Sequence, residues 1–234
     1  MRVLLNTIFS LCSVGMVLAS LSISNDGSGT NGLSTRECIS EANLDKTLFS
    51  LSQQYDEAQV AQNTLRESCS VSPECRLRIV VAMIKAMDKP SLDISTSESD
   101  ANLWREGATL LGDLKATESL DLLLSHITMT DGSWSTTMTH QPALSGIIRM
   151  GSVAVPKLER LLRNKDWETR HSATFCLAYI GGPKAVRALQ RARPMEQDSC
   201  LKRLMLISIK SIDIKRGGVK PDHGEWASAF LCMP

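Results

Sequence analysis

Aromatic side chains are scarce, with Phe, Tyr and Trp together making up 4% of the 234 residues. Strands draw on aromatic and β-branched residues, so this scarcity, beside plentiful Ala, Leu, Ile and Met, points to helices. Chemistry-bearing motifs are missing as well. The chain has no CxxC, CxxCH or Cys/His quartet, and His126, His140, His171 and His223 form neither HxxxH nor HExxH. Zinc, haem and paired-histidine metal sites therefore have no signature. No GxSxG elbow anchors a serine nucleophile. Gly181-Gly182-Pro183-Lys184 lacks the GxxxxGK[ST] spacing of a phosphate loop. Asn-x-Ser/Thr is absent, so nothing suggests N-glycosylation. No enzyme and no cofactor is expected.

Long apolar runs are missing after the first residues, which read MRVLLNTIFSLCSVGMVLAS. Arg2, the apolar stretch from Val3 to Ala19 and the small residues at its end follow the pattern of a secretory signal. Asn6, Thr7, Ser10 and Ser13 make the run too polar and too short for a span of about 20 apolar residues. The expected product is exported, periplasmic or secreted, with no membrane span after signal removal. Cys12 leaves with the signal, and Cys38, Cys69, Cys75, Cys176, Cys200 and Cys232 remain. An even number in an exported chain permits disulfides. Cys69 and Cys75 enclose SVSPE, a turn between two helical stretches, and are the expected bridge. Cys176 and Cys200 lie on apolar faces, where buried free thiols and disulfides are both open.

Net charge is +1, yet it is unevenly spread. Asn25 to Gln141 carries 9 basic and 17 acidic residues, whereas Pro142 to Pro234 carries 16 basic and 8 acidic. Such asymmetry gives the two halves opposite electrostatic roles, or else two solvated faces.

Residues 20–37 contain NDGSGTNGLST, a flexible spacer. From Ser40 to Ser68, Leu44, Leu48, Leu51, Tyr55, Ala58, Ala61 and Leu65 recur at helical steps, predicting one helix or a helix pair. Cys75 to Met87 predicts a second helix, with Leu77, Val80, Val81, Ile84 and Met87 inward, ended by Lys89-Pro90. Ser99 or Asp100 is placed to cap the next. Glu196 to Ile214 predicts a last helix with Cys200, Leu201, Leu204, Met205, Ile209 and Ile212 inward. Trp226, Phe230 and Leu231 in the tail read as an end cap or a loose peptide.

Three stretches share one plan: LWREGATLLGDLKATESLDLLLSHI, LSGIIRMGSVAVPKLERLL and ETRHSATFCLAYIGGPKAVRALQRA. Each is an apolar helix, a glycine (Gly112, Gly151, Gly181), a small apolar residue four positions on (Ala116, Val155, Ala185), then a second apolar helix. Glycine is expected to supply the left-handed residue that closes the first helix. Pro156 and Pro183 suit the first turn of the second. The longer first gap is taken up by MTDGSWSTTMTHQP, where Asp131 to His140 reads as a small polar site or as a packed loop. One such pair cannot bury both its apolar faces, so the units must stack.

This pattern resembles HEAT repeats, and more narrowly the short HEAT-like repeats of phycobilin lyases, over roughly residues 101–213. SPECRLRIVVAMIKAMDKP and MTHQPALSGIIRMG also resemble segments of a bacterial group of exported HEAT-repeat proteins. The resemblance implies an all-α fold: a short right-handed α-solenoid of helix pairs. The expected layout is a signal (1–19), a spacer (20–37), an N-terminal helical cap (38–100), a repeat domain (101–214) and a tail (215–234). It further implies that the second helices line the concave side. Their outward residues are Glu118 and Asp121, then Lys157, Arg160 and Arg163 with Glu159, then Lys184, Arg187 and Arg191. The six cations are the expected contacts for an acidic protein or peptide, which makes the chain an exported scaffold or adaptor. A near-neutral chain without aromatics among these arginines does not suit nucleic acid. The resemblance also leaves open a bilin-lyase-like enzyme or chaperone, and the charge asymmetry leaves open an envelope protein assembling head to tail.

Overall fold

Short polar side chains set where helices begin. Ser40, Ser72, Ser97 and Asp166 each accept a backbone N–H from the first turn that follows, from Asn43, Cys75, Asp100 and Thr169. The computed structural model describes residues 37–89, 97–130 and 141–214. Among the described residues there are ten α-helices and no strand, an all-α fold. They are α1 (Glu41–Ser50), α2 (Tyr55–Cys69), α3 (Pro73–Met87), α4 (Glu98–Asp113), α5 (Leu120–Ser125), α6 (Pro142–Met150), α7 (Val155–Leu161), α8 (Trp167–Ile180), α9 (Gly182–Ala192) and α10 (Ser199–Ile214). The expected signal, the spacer up to residue 36, the insertion around Asp131 to His140 and the tail lie outside the described residues. The cap of α4 is Ser97 rather than Ser99 or Asp100, so the helix starts at Glu98 and the expected boundary at residue 100 falls inside it.

Contacts between helices follow a regular order. α4 lies against α2 and α6, α6 against α8, and α8 against α10. α3 packs on α2, on α4 and on the 3-10 turn Thr117–Ser119 that leads into α5. α5 packs on α6, α7 on α8 and α9, and α9 on α8 and α10. One continuous core of Leu, Ile, Val, Ala and Met runs through all ten. The expected face of α1 and α2 is buried except for Tyr55, which opens α2 and is 71% exposed. On α3 the buried face is Ile79, Val80, Met83 and Met87, while Leu77 and Val81 are exposed. That helix is apolar on several sides, and period alone does not choose among them.

The helix turns correct the expected repeat. Gly151 and Gly181 have φ of +72° and +67° and close α6 and α8 as expected. Gly112 does not; it lies inside α4, and the left-handed residue of that unit is Lys115 (φ +51°). Counted back from Lys115, Gly151 and Gly181, the fourth residue is Leu111, Ile147 or Leu177, and the eighth is Gly107, Ala143 or Ala173. All six are buried. Ser119 and Ala154, just ahead of α5 and α7, and Ala185, in the first turn of α9, are fully buried, and so are Leu123, Leu158 and Leu189. Pro156 and Pro183 occupy the first turns of α7 and α9.

Gly112 has another task. A Cβ there would lie 2.6 Å from the Gly146 carbonyl oxygen and 2.7 Å from Arg149 Cβ. A Cβ on Gly146 would lie 2.6 Å from the Ala108 carbonyl oxygen. The backbones of α4 and α6 therefore touch, and among the described residues this is the most extensive helix pair.

The expected Cys69–Cys75 bridge is corrected too. Cys75, in the first turn of α3, is bonded to Cys38, with 5.8 Å between Cα atoms. Cys69 closes α2 with its thiol free and buried in the core, and burial raises its pKa. Arg78 donates to the Ile39 carbonyl beside the bridge, fixing the segment ahead of α1. Cys176 is free and buried, and burial raises its thiol far above the usual range, whereas Cys200 is disulfide-bonded.

Two outcomes follow from this packing. Gly146→Ala should lower the free energy of unfolding by about 1–3 kcal/mol in urea titrations, because backbone atoms must move apart. The helix propensity gained, about 1 kcal/mol, offsets only part of this. Cys38→Ser should cost about 2–4 kcal/mol through loss of the cross-link, whereas Cys69→Ser should leave the Cys38–Cys75 peptide intact in disulfide mapping.

Candidate functional site

Two sets of polar contacts cross from helix to helix. The first joins α2, α4 and α6. Gln62, buried on α2, donates to Glu106 Oε2 (2.6 Å) and to the Glu106 carbonyl (3.1 Å). Asp113 accepts from Arg66 (3.2 Å) and Arg149 (2.8 Å), one helix on either side. Burial raises the Glu106 carboxyl above its usual range, opposed by the charges of Arg105 and Arg149 and by the Gln62 hydrogen bond.

The second set is a ladder that runs through α3, α5, α7 and α9. Arg76 on α3 donates to Glu118, ahead of α5 (2.9 Å). Lys157 on α7 donates to Asp121 on α5 (2.6 Å). Arg191 on α9 donates through Nε and Nη2 to both oxygens of Glu159 on α7 (2.8 and 2.9 Å). The hydrogen bond from Arg76 holds the Glu118 carboxyl below the ordinary carboxylate range. Pairs this exposed add little to stability, but they decide which charges are left over.

The six expected cations therefore fall into three groups. Lys157 and Arg191 are already paired within the ladder. Arg163 is exposed but lies past the end of α7, in the turn to α8. Arg160 on α7 and Lys184 and Arg187 on α9 are exposed, with no ion pair to any described residue. On α9 the buried face is Ala185, Val186, Ala188, Leu189 and Ala192, so Lys184, Arg187 and Arg191 share the opposite side. Glu118, Asp121 and Glu159, read from sequence as outward charges, are partners to their neighbours. Aligning the second helices on their buried residues is the signal that brings these charges side by side.

Between α5 and α7 lies a cleft of about 540 Å³, lined in part by Asp121, Leu124, Lys157, Arg160 and Asn164. A larger cleft of about 750 Å³ lies between α1, α3 and the start of α4, with Phe49 and Val81 exposed at its wall. The described histidines serve packing: His126 meets Trp104 with ring centroids 4.7 Å apart, and His171 stacks on Trp167 at 5.0 Å. Burial lowers the His171 pKa. Among the described residues no three His, Cys, Asp or Glu side chains come together as a metal site. His140 and His223 lie outside the described residues.

Comparison with known proteins finds no family model and no curated protein that matches this chain.

Glu106 gives a pH test. A carboxyl whose folded pKa is raised favours folding while protonated, and that contribution is lost as pH rises through the folded pKa. Glu106→Gln keeps an acceptor for Gln62 and removes the charge. Its melting temperature relative to the parent should therefore rise between about pH 4 and about pH 7. A gap that stays flat or shrinks over that window would show that burial does not disfavour the charge.

Proposed function

We propose that the chain is an exported, non-enzymatic adaptor that binds an acidic protein or peptide along α5, α7 and α9. In this reading the helix pairs α2–α3, α4–α5, α6–α7 and α8–α9, closed by α10, form a short right-handed solenoid of HEAT-like repeats with α1 as its N-terminal cap. The order of helix contacts and the recurring buried positions support that arrangement. Stacked pairs of this kind expose a long face built from equivalent positions of successive units, suited to an extended partner.

One observation carries the choice of partner. After the ladder has paired Arg76, Lys157 and Arg191, the cations Arg160, Lys184 and Arg187 remain on neighbouring helices with no ion pair to any described residue. Such a face attracts an acidic segment and speeds its association. Export is supported by the Cys38–Cys75 disulfide, a bond rare in reducing compartments. No helix among the described residues is long and apolar enough to cross a membrane.

Reversing both charges, Arg160→Glu with Arg187→Glu, tests the reading. Both side chains are exposed, so the fold should survive, as circular dichroism will report. Capture of an acidic partner from the native envelope should be lost, and capture by the parent should weaken steeply with salt. Equal capture by parent and variant would remove the proposal.

A further inference from the structure

Resting on the adaptor reading, the ladder also locates where one acidic group of the partner sits. Ser119, Ala154 and Ala185 are each fully buried, as are Leu123, Leu158 and Leu189, so α5, α7 and α9 can be aligned residue by residue. In that alignment Ser125, Arg160 and Arg191 are equivalent, and so are Leu124, Glu159 and Gln190. Arg191 reaches back to the preceding helix and finds Glu159, which it holds through two hydrogen bonds. Arg160 stands at the same place one helix earlier. The equivalent residue on α5 is Leu124, a half-buried side chain that accepts nothing.

Arg160 and Leu124 both line the cleft between α5 and α7. Among the described residues that line it there is one carboxylate, Asp121, which Lys157 already neutralises at 2.6 Å. The remaining charge among those lining residues is the Arg160 guanidinium. Asn164, also on its wall, accepts the Asp166 N–H through Oδ1 (2.9 Å), which leaves its amide N–H₂ to donate. We infer that this cleft is the seat for a side-chain carboxylate of the acidic partner segment. That carboxylate takes, against Arg160, the place that Glu159 takes against Arg191. A carboxylate meeting a guanidinium fork can be held by two parallel hydrogen bonds, as Arg191 holds Glu159.

The test fills the seat from within. A fluorescein-labelled octaglutamate peptide is titrated into the full chain, and polarisation is read at low and high salt. Leu124→Glu should supply Arg160 with its missing carboxylate and weaken peptide binding about five-fold, the worth of one charge contact in water. Arg160→Gln should weaken it to a similar degree, and Leu124→Gln, of like size without charge, should bind as the parent does. Arg160 is exposed, so Arg160→Gln decides the matter even if Leu124→Glu folds poorly. Parent-like affinity in Arg160→Gln, with Arg187→Glu still weakened, would overturn the seat and leave the adaptor reading standing. Parent-like affinity in the Arg160→Glu, Arg187→Glu double variant would overturn both.

Discussion

The rest of the helix order depends on how closely α4 and α6 approach. Gly112, Gly146 and Ala108 meet at backbone distance, with room for no further carbon. α6 is nine residues long and α5 six, too short to hold helical structure alone in water. Their stability comes from apolar faces laid against neighbours. The α4–α6 contact sets the spacing at which α5 reaches α6 and α7 reaches α8. Interiors are close-packed, so a displacement at this contact passes to the helices on either side.

Charge is arranged around that packing rather than causing it. α5 contributes acids to the ladder, α9 contributes bases, and α7 contributes both, so each helix is joined to the next by one opposite-charge pair. The pairing consumes the acids of α5 and α7 and leaves three cations of α7 and α9 with no ion pair to any described residue. Part of the net positive charge of the second half of the sequence thus has a place on the fold: Arg160, Lys184 and Arg187. A cation on a rigid helix, already placed where its equivalent binds a carboxylate, loses less freedom on binding than one on a mobile loop.

Much of the fold is legible in the sequence because helical period and residue size act locally. Leu44 to Leu65, the core face of α10, the prolines opening α7 and α9, and the turns at Gly151 and Gly181 all follow from short-range rules. The misreadings come where tertiary contact overrides a local signal. Gly112 has the look of a helix end, yet it serves a neighbouring backbone, and Lys115 takes the left-handed turn at some steric cost. Cys69 and Cys75 are close in sequence, but the bridge is decided by what the chain ahead of α1 brings to α3. Leu77 and Val81 lie on an apolar helix whose buried side is chosen by α1, α2 and α4. The candidate site was half legible. Its cations were visible, but which of them are already neutralised depends on the alignment of helices far apart in sequence.

Arg160 is an arginine in Arg191's position with no carboxylate among the described residues to match Glu159. Nitrogen-15 NMR of the arginine Nε–H groups measures that difference. Arg191 should show a slowly exchanging Nε–H in the free protein, and Arg160 a rapidly exchanging one that slows and shifts when an acidic peptide is added. An Arg160 signal as protected as that of Arg191 before any peptide is present, or unmoved by it at saturation, would mean that Arg160 does not receive the partner's carboxylate.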